Sequence, residues 1–178
     1  MRKALYACLL GVGFLGAAVP AAQASTVTVD VFAEANSYVG GSGLATGFFL
    51  TAGQLFTSSS ALDDTWSLGS EEPATRTSNA DGLTAYYGDY TADSFSALYG
   101  TLVGRIGIGP LFVIGTSFTG VANSTGELFL YNWDSYAGDN SGSIEATVST
   151  VPLPPAAILL GSGLAALGFA RRRKASAA

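Results

Sequence analysis

The stretch Asn132-Trp133-Asp134-Ser135-Tyr136-Ala137-Gly138-Asp139-Asn140-Ser141-Gly142 gathers two carboxylates and several neutral oxygens. That is hard-cation chemistry: calcium takes six to eight oxygen ligands from carboxylates, amide and backbone carbonyls and water. The same residue types also build ordinary turns, since Asx side chains hydrogen-bond their own backbone. By composition alone a solvated hairpin tip is the simpler account. Asp63 and Asp64 form a second acidic pair, but adjacent carboxylates usually point apart, and a solvated turn suits them better.

The elements that must hold this loop read as strands. Thr26–Ala33 sets Val27, Val29, Val31 and Ala33 against Thr28, Asp30 and Phe32, the period-two pattern of a half-buried strand. Further segments of this kind are Gly47–Thr51, Gln54–Ser58, Leu83–Tyr87, Thr101–Ile106, Leu111–Gly115, Glu127–Asn132 and Ser143–Val148, each bounded by Gly, Pro, Ser or Asn. The last two flank the oxygen-rich loop and predict a hairpin. Glu71–Asp81 reads as a polar loop. Many short strands with glycine-rich turns need a second sheet to bury one face, which predicts an all-β, antiparallel β-sandwich of about eight strands, jelly-roll or galactose-binding-like.

Charge is segregated along the 178 residues. Six of the eight basic residues lie at the ends, leaving Arg76 and Arg105 against all 13 acids, a central charge of −11. Nucleic acid is excluded as a partner, because its binders need a basic stripe to displace counterions. With no histidine, Ser-His, Cys-His and His-ligated zinc chemistries are absent by inventory. The one cysteine, Cys8, falls in the leading apolar segment and provides no disulfide for the domain.

Residues 1–24 have the three parts of a secretory signal peptide: Arg2 and Lys3, an apolar run over Ala4–Val19, and Ala22-Gln23-Ala24 before Ser25. Cleavage is expected after Ala24, leaving a β-sandwich domain over 25–150 and a tail over 151–178. The tail opens with Val151-Pro152-Leu153-Pro154, continues as an apolar transmembrane helix over about 153–170, and ends in Arg171-Arg172-Arg173-Lys174. At ~1.5 Å per residue the apolar run spans roughly 27 Å, enough for a thin bilayer core, with the basic end held on the cytoplasmic side. This tail strongly resembles the PEP-CTERM sorting signal of Gram-negative bacteria in its Val-Pro-Leu-Pro variant. The resemblance implies recognition by exosortase, a membrane protease-transferase, passage through the inner membrane, and delivery to the cell surface or an exopolysaccharide and biofilm matrix.

The central domain carries a second resemblance. Thr46-Gly47, Ala52-Gly53-Gln54, Asp81-Gly82-Leu83, Gly100-Thr101-Leu102-Val103-Gly104-Arg105-Ile106-Gly107, Gly126-Glu127-Leu128 and the loop with Asp139-Asn140-Ser141-Gly142 follow an order similar to the LecA/PA-IL family of calcium-dependent, galactophilic lectins. The resemblance implies a sandwich holding calcium at the end of its sheets, with the ion itself meeting sugar hydroxyls. It places the side-chain ligands at Asp134, Asp139 and Asn140, a backbone carbonyl at Tyr136 or Ala137, and another near Gly69, after Trp66. The loop is shorter than in the best-known galactose binder, and Asp139 stands where that family has an amide. The family's sugar-contacting His-Gln arm falls near Ser78 and Asp81, and neither reproduces it.

The remaining motifs are weighed by residue type. Trp133 and Tyr136 flank the expected ion and could stack on a sugar, together with Asp134, Asp139 and Asp81 as ligand contacts; Trp66, Tyr86, Tyr87, Tyr90 and Tyr99 suit ordinary packing better. Arg105 reads as a buried strand residue paired with a carboxylate. Gly104–Gly109 lacks the helix start and Lys-Ser/Thr of a phosphate loop. No acid/base pair is recognisable among thirteen acids, so an enzyme is not expected. The expectation is a surface-sorted protein binding an extracellular polysaccharide or glycan through calcium. A matrix protein whose calcium only stiffens the loop is the alternative, and a glycan-active enzyme the third. Oligomeric state is left open.

Overall fold

The computed structural model describes residues 23–69, 73–84, 87–152 and 160–164. Gln23–Pro152 forms a compact unit, and residues 160–164 are helical. Among the described residues no helix is long and apolar enough to cross a membrane. The signal segment through Ala22, Leu153 and Pro154 of the tail motif, most of the apolar run and the basic end lie outside the described residues; Val151 and Pro152 are exposed and outside any strand.

The compact unit is almost entirely β. Its strands are β1 (Thr26–Phe32), β2 (Leu44–Leu50), β3 (Leu55–Ser59), β4 (Trp66–Ser67), β5 (Thr77–Ser78), β6 (Asp89–Ala92), β7 (Phe95–Leu98), β8 (Thr101–Ile106), β9 (Leu111–Val113), β10 (Ser117–Val121), β11 (Gly126–Trp133) and β12 (Ser141–Thr150), with one helical turn, α1 (Pro73–Arg76). A six-stranded sheet runs β10-β3-β12-β4-β5 with β1 on the other edge of β12. A four-stranded sheet runs β2-β11-β8-β9, and β6 and β7 form a separate ribbon. All strand pairings are antiparallel.

Alternation explains how the two larger sheets become a sandwich. Val31, Phe56, Ile144, Ala146 and Val148 point inward from the six-stranded sheet, while Phe48, Leu50, Leu102, Ile106, Leu128 and Leu130 point inward from the four-stranded one. They share one buried cluster. Apart from the exposed Phe32, the outward positions of β1 and β12 are polar, and the hydroxyls of Thr26 and Ser149, and of Thr28 and Thr147, meet at 2.8 and 2.9 Å across the pair. A second cluster, around the fully buried Trp133 with Val103 and Ala97, lies under the β6–β7 ribbon. Trp133 Nε1 donates to the Tyr90 carbonyl at 2.9 Å, and Phe95 meets the indole edge-on at 4.9 Å.

Two expectations need correction. β11 and β12 are not a hairpin: β11 lies between β2 and β8, whereas β12 pairs with β1, β3 and β4. Residues 134–140 therefore carry the chain from one sheet to the other, at the end of the sandwich. Both strands have strong period-two patterns, and such patterns specify burial without choosing the neighbour. Leu83, Thr84 and Tyr87 are not in a strand; that part of the chain pairs from Asp89 instead, where the consecutive left-handed residues Asp93 (φ 48°) and Ser94 (φ 63°) close a tight turn.

Candidate functional site

The sheet-crossing corner brings Asp134 and Asn140 together. Asp134 follows the last residue of β11 and Asn140 precedes the first of β12, so each is fixed by an anchored strand. Both are buried, at 6% and 5% exposure. Asn140 Nδ2 donates to Asp134 Oδ2 at 2.8 Å and to the Ala33 carbonyl at 3.3 Å. Asn132 Nδ2 reaches the same carbonyl at 3.1 Å, so the end of β1 is clamped to both strands of the corner.

Asp134 also accepts the Ser135 backbone N–H at 2.7 Å and a backbone hydrogen bond from Tyr136. Donors of this kind favour a carboxylate. Desolvation is nevertheless the larger effect and pushes its pKa up, reinforced by the nearby charge of Asp139. Asn140 Oδ1 is buried and has no hydrogen-bond donor among the described residues. A buried acceptor left unmatched costs about 1–3 kcal/mol unless something meets it.

The opposite wall comes from the β4–β5 connection. Arg76 ends α1, its carbonyl accepts the Leu68 N–H at 2.9 Å, and its Nη1 stands 3.8 Å from Asp139 Oδ2. Gly69 lies against both groups: with φ at +152°, a Cβ there would fall 2.4 Å from Arg76 Nη1 and 3.2 Å from Asp139 Oδ2. A side chain at this position would crowd the guanidinium as it is placed. Beyond Arg76 runs a ladder of rings. Its Cζ lies 5.7 Å from the Tyr87 centroid, Tyr87 is 5.4 Å from Tyr99, and Tyr99 stacks on Tyr90 at 5.1 Å. Between these walls is a cavity of about 130 Å³, lined by Arg76, Tyr87, Tyr99, Asp134, Tyr136 and Asp139 among others. A more open depression lies on the far side of Tyr136, along Gly40, Ala137 and Gly138.

Of the residues singled out from sequence, Asp134, Asp139, Asn140, Tyr136 and Gly69 do come together here. The Ala137 carbonyl accepts the Asn140 N–H at 3.0 Å, closing the loop. Trp133 differs from expectation: it is fully buried, so it braces the corner from within and offers no face to a ligand. Asp81 is spent elsewhere, accepting the Thr116 N–H at 2.7 Å and the Thr116 hydroxyl. Ser78 is buried under Trp66, whose Nε1 reaches its hydroxyl at 3.2 Å and the Gly100 carbonyl at 2.9 Å. Arg105 sits by the faces of Tyr38 and Tyr131, at 5.9 and 6.0 Å, with no ion pair to it among the described residues.

Arg76, Tyr87 and Tyr99 are site residues that sequence reasoning missed. The available signal was Arg76 itself, one of only two basic residues between the charged ends of an acidic chain.

The donor set fits a hard cation in part. Among the described residues no three His, Cys, Asp or Glu side chains gather. A bound ion would draw on the carboxylates of Asp134 and Asp139, the unmatched Oδ1 of Asn140 and the Gly69 carbonyl, which already accepts the Ser67 hydroxyl at 2.8 Å but keeps a second lone pair. All are oxygens.

No protein-family model matches the chain, and no curated protein matches it in sequence. Among solved structures it is similar to one described as "EclA N-terminal domain; PllA-like lectin", with a TM-score of 0.54 and 22% identity, covering 70% of this chain and 96% of that one. At that identity the likeness is one of fold: a β-sandwich also used by a lectin domain.

Proposed function

We propose that this protein is a carbohydrate-binding module whose sheet-crossing corner binds calcium and, beside it, the hydroxyls of an extracellular glycan. The observation that carries this reading is the buried Asp134, which lines a cavity together with Asp139 and is hydrogen-bonded from behind by Asn140, whose Oδ1 is unmatched among the described residues. The lectin-type fold supports the same reading. Asp134, Asp139 and Asn140 would hold the ion, with a backbone carbonyl from Gly69 and from Tyr136 or Ala137. When bound, calcium supplies positive charge and coordination positions that accept hydroxyl oxygens. The exposed ring of Tyr136 offers a face to the apolar C–H side of a sugar.

Calorimetric titration of calcium into the protein, with Asp134→Ala/Asp139→Ala alongside, tests the ion site. Saturable binding lost in the double variant is the expected result. A folded protein that ignores calcium overturns it. A glycan array with calcium and with chelator then tests the sugar. Calcium-independent silence on the array, with calcium still stabilising the fold, would favour a purely structural ion, a reading suggested by the way Asn140 ties the corner to Ala33.

The ends of the chain extend the proposal. The leader directs export with cleavage after Ala24, and exosortase reads Val151-Pro152-Leu153-Pro154 and the apolar tail at the inner membrane. The module then reaches the cell surface or matrix, where many weak sites act together on a polysaccharide.

A further inference from the structure

We propose that the glycan bound at this corner is acidic, and that Arg76 receives its carboxylate. This rests on the calcium-dependent carbohydrate reading above and names the class of sugar. Neutral sugar hydroxyls need no guanidinium, whereas the planar N–H fork of arginine matches a carboxylate with two parallel hydrogen bonds.

Three observations place that fork deliberately in the cavity. The Arg76 carbonyl is tied to Leu68 N–H at 2.9 Å, which fixes where its side chain starts. The guanidinium carbon lies 5.7 Å from the Tyr87 ring centroid, within reach of a cation–π contact. Gly69, in a backbone conformation other residues avoid, lies against the guanidinium, and a Cβ there would stand 2.4 Å from Nη1 as it is placed.

A structural salt bridge to Asp139 explains this poorly. At 3.8 Å the pair is well beyond the roughly 2.7–2.9 Å of a charge-assisted hydrogen bond, and the side chains are 26% and 35% exposed. Pairs of that kind contribute about 0–1 kcal/mol. Among the described residues the arginine has no closer anionic partner, and it lines the cavity.

Local charge makes the acid preference conditional. Asp134 and Asp139 against Arg76 leave the cavity negative, so an anionic sugar is repelled from the metal-free site. With a divalent cation held by the two carboxylates the same group of charges becomes positive, and Asp139 is engaged away from Arg76.

The test uses the whole protein and methyl glycosides of galacturonate, glucuronate and mannuronate, each compared with its own methyl ester. Esterification keeps the ring and hydroxyls and deletes the charge. Calorimetry is run first with calcium alone, then with each sugar at saturating calcium and in chelator, on the wild type, Arg76→Gln and Arg76→Lys. With calcium, at least one free acid is expected to bind about tenfold tighter than its ester, in line with a charge-assisted bidentate pair. Arg76→Gln should bring the acid down to the ester, Arg76→Lys should fall between, and both should still bind calcium, which shows that the corner is folded.

Esters that bind as tightly as acids, an acid preference that survives in Arg76→Gln, or no uronate binding at all would overturn the inference while leaving the calcium result standing. Absence of calcium binding in the wild type would instead overturn the underlying reading, and this proposal with it.

Discussion

Asp134 is held by three hydrogen-bond donors and still has its pKa raised, because burial penalises the carboxylate more than the donors favour it. The folded protein therefore retains this proton to higher pH than the unfolded chain does. In that window stability falls as pH rises, since the native state binds more protons than the unfolded state. The contribution is full below the unfolded pKa and is lost as pH passes the folded one. Urea titrations in chelator between about pH 3 and pH 7 should show the wild type losing stability relative to Asp134→Asn as pH rises. Calcium should reverse the ranking at neutral pH, because only the ionised carboxylate holds the ion. Arg76→Gln carries a second expectation at this scale. Removing a cation next to Asp139 should tighten calcium binding several-fold at low salt, with the gain shrinking as salt is raised.

The elements around the site act through a few buried side chains. Trp133, at the end of β11, links the corner to the β6–β7 ribbon through its bond to the Tyr90 carbonyl at 2.9 Å. Trp133→Phe keeps a ring in the pocket and leaves that carbonyl unmatched, a loss of about 1–3 kcal/mol. Chemical denaturation should report it, and hydrogen exchange should rise first in Asp89–Leu98. The turn between β7 and β8 is more brittle. Gly100 has φ +77°, and a Cβ there would meet Ser78 Oγ at 2.5 Å and Leu68 Cδ1 at 2.9 Å. Gly100→Ala combines left-handed strain with a clash beneath Trp66, and a destabilisation on the order of 1–3 kcal/mol is expected from melting curves.

At the scale of the molecule, calcium binding by the native state alone shifts unfolding by mass action. At calcium one hundredfold above its dissociation constant the gain is about 2.7 kcal/mol. For a domain of about 130 residues each kcal/mol moves the melting temperature by about 3–5 °C. An increase of roughly 8–14 °C in calcium over chelator is therefore the expected calorimetric signature, absent in Asp134→Ala/Asp139→Ala. Sorting has its own readout. Mass spectrometry of the exported protein should find Ser25 at its N-terminus, and replacing Val151-Pro152-Leu153-Pro154 should leave the chain in the membrane fraction.

The sequence by itself determined the class of the fold, because alternation along Thr26–Phe32 or Ser143–Val148 is a local property that dictates which face is buried. It also singled out Asp134, Asp139 and Asn140, since they fall within one short loop. Tertiary structure decided what no local pattern encodes. A strand's alternation does not name its partner, so β11 and β12 read as a hairpin although they belong to different sheets. Trp133 looked like a ligand platform beside the loop, and the β6–β7 ribbon buries it. Arg76 lies far from Asp139 along the chain and meets it only because β4 and β5 hang from the edge of β12. The cation that faces Asp139 is thus supplied by strand pairing across the sheet.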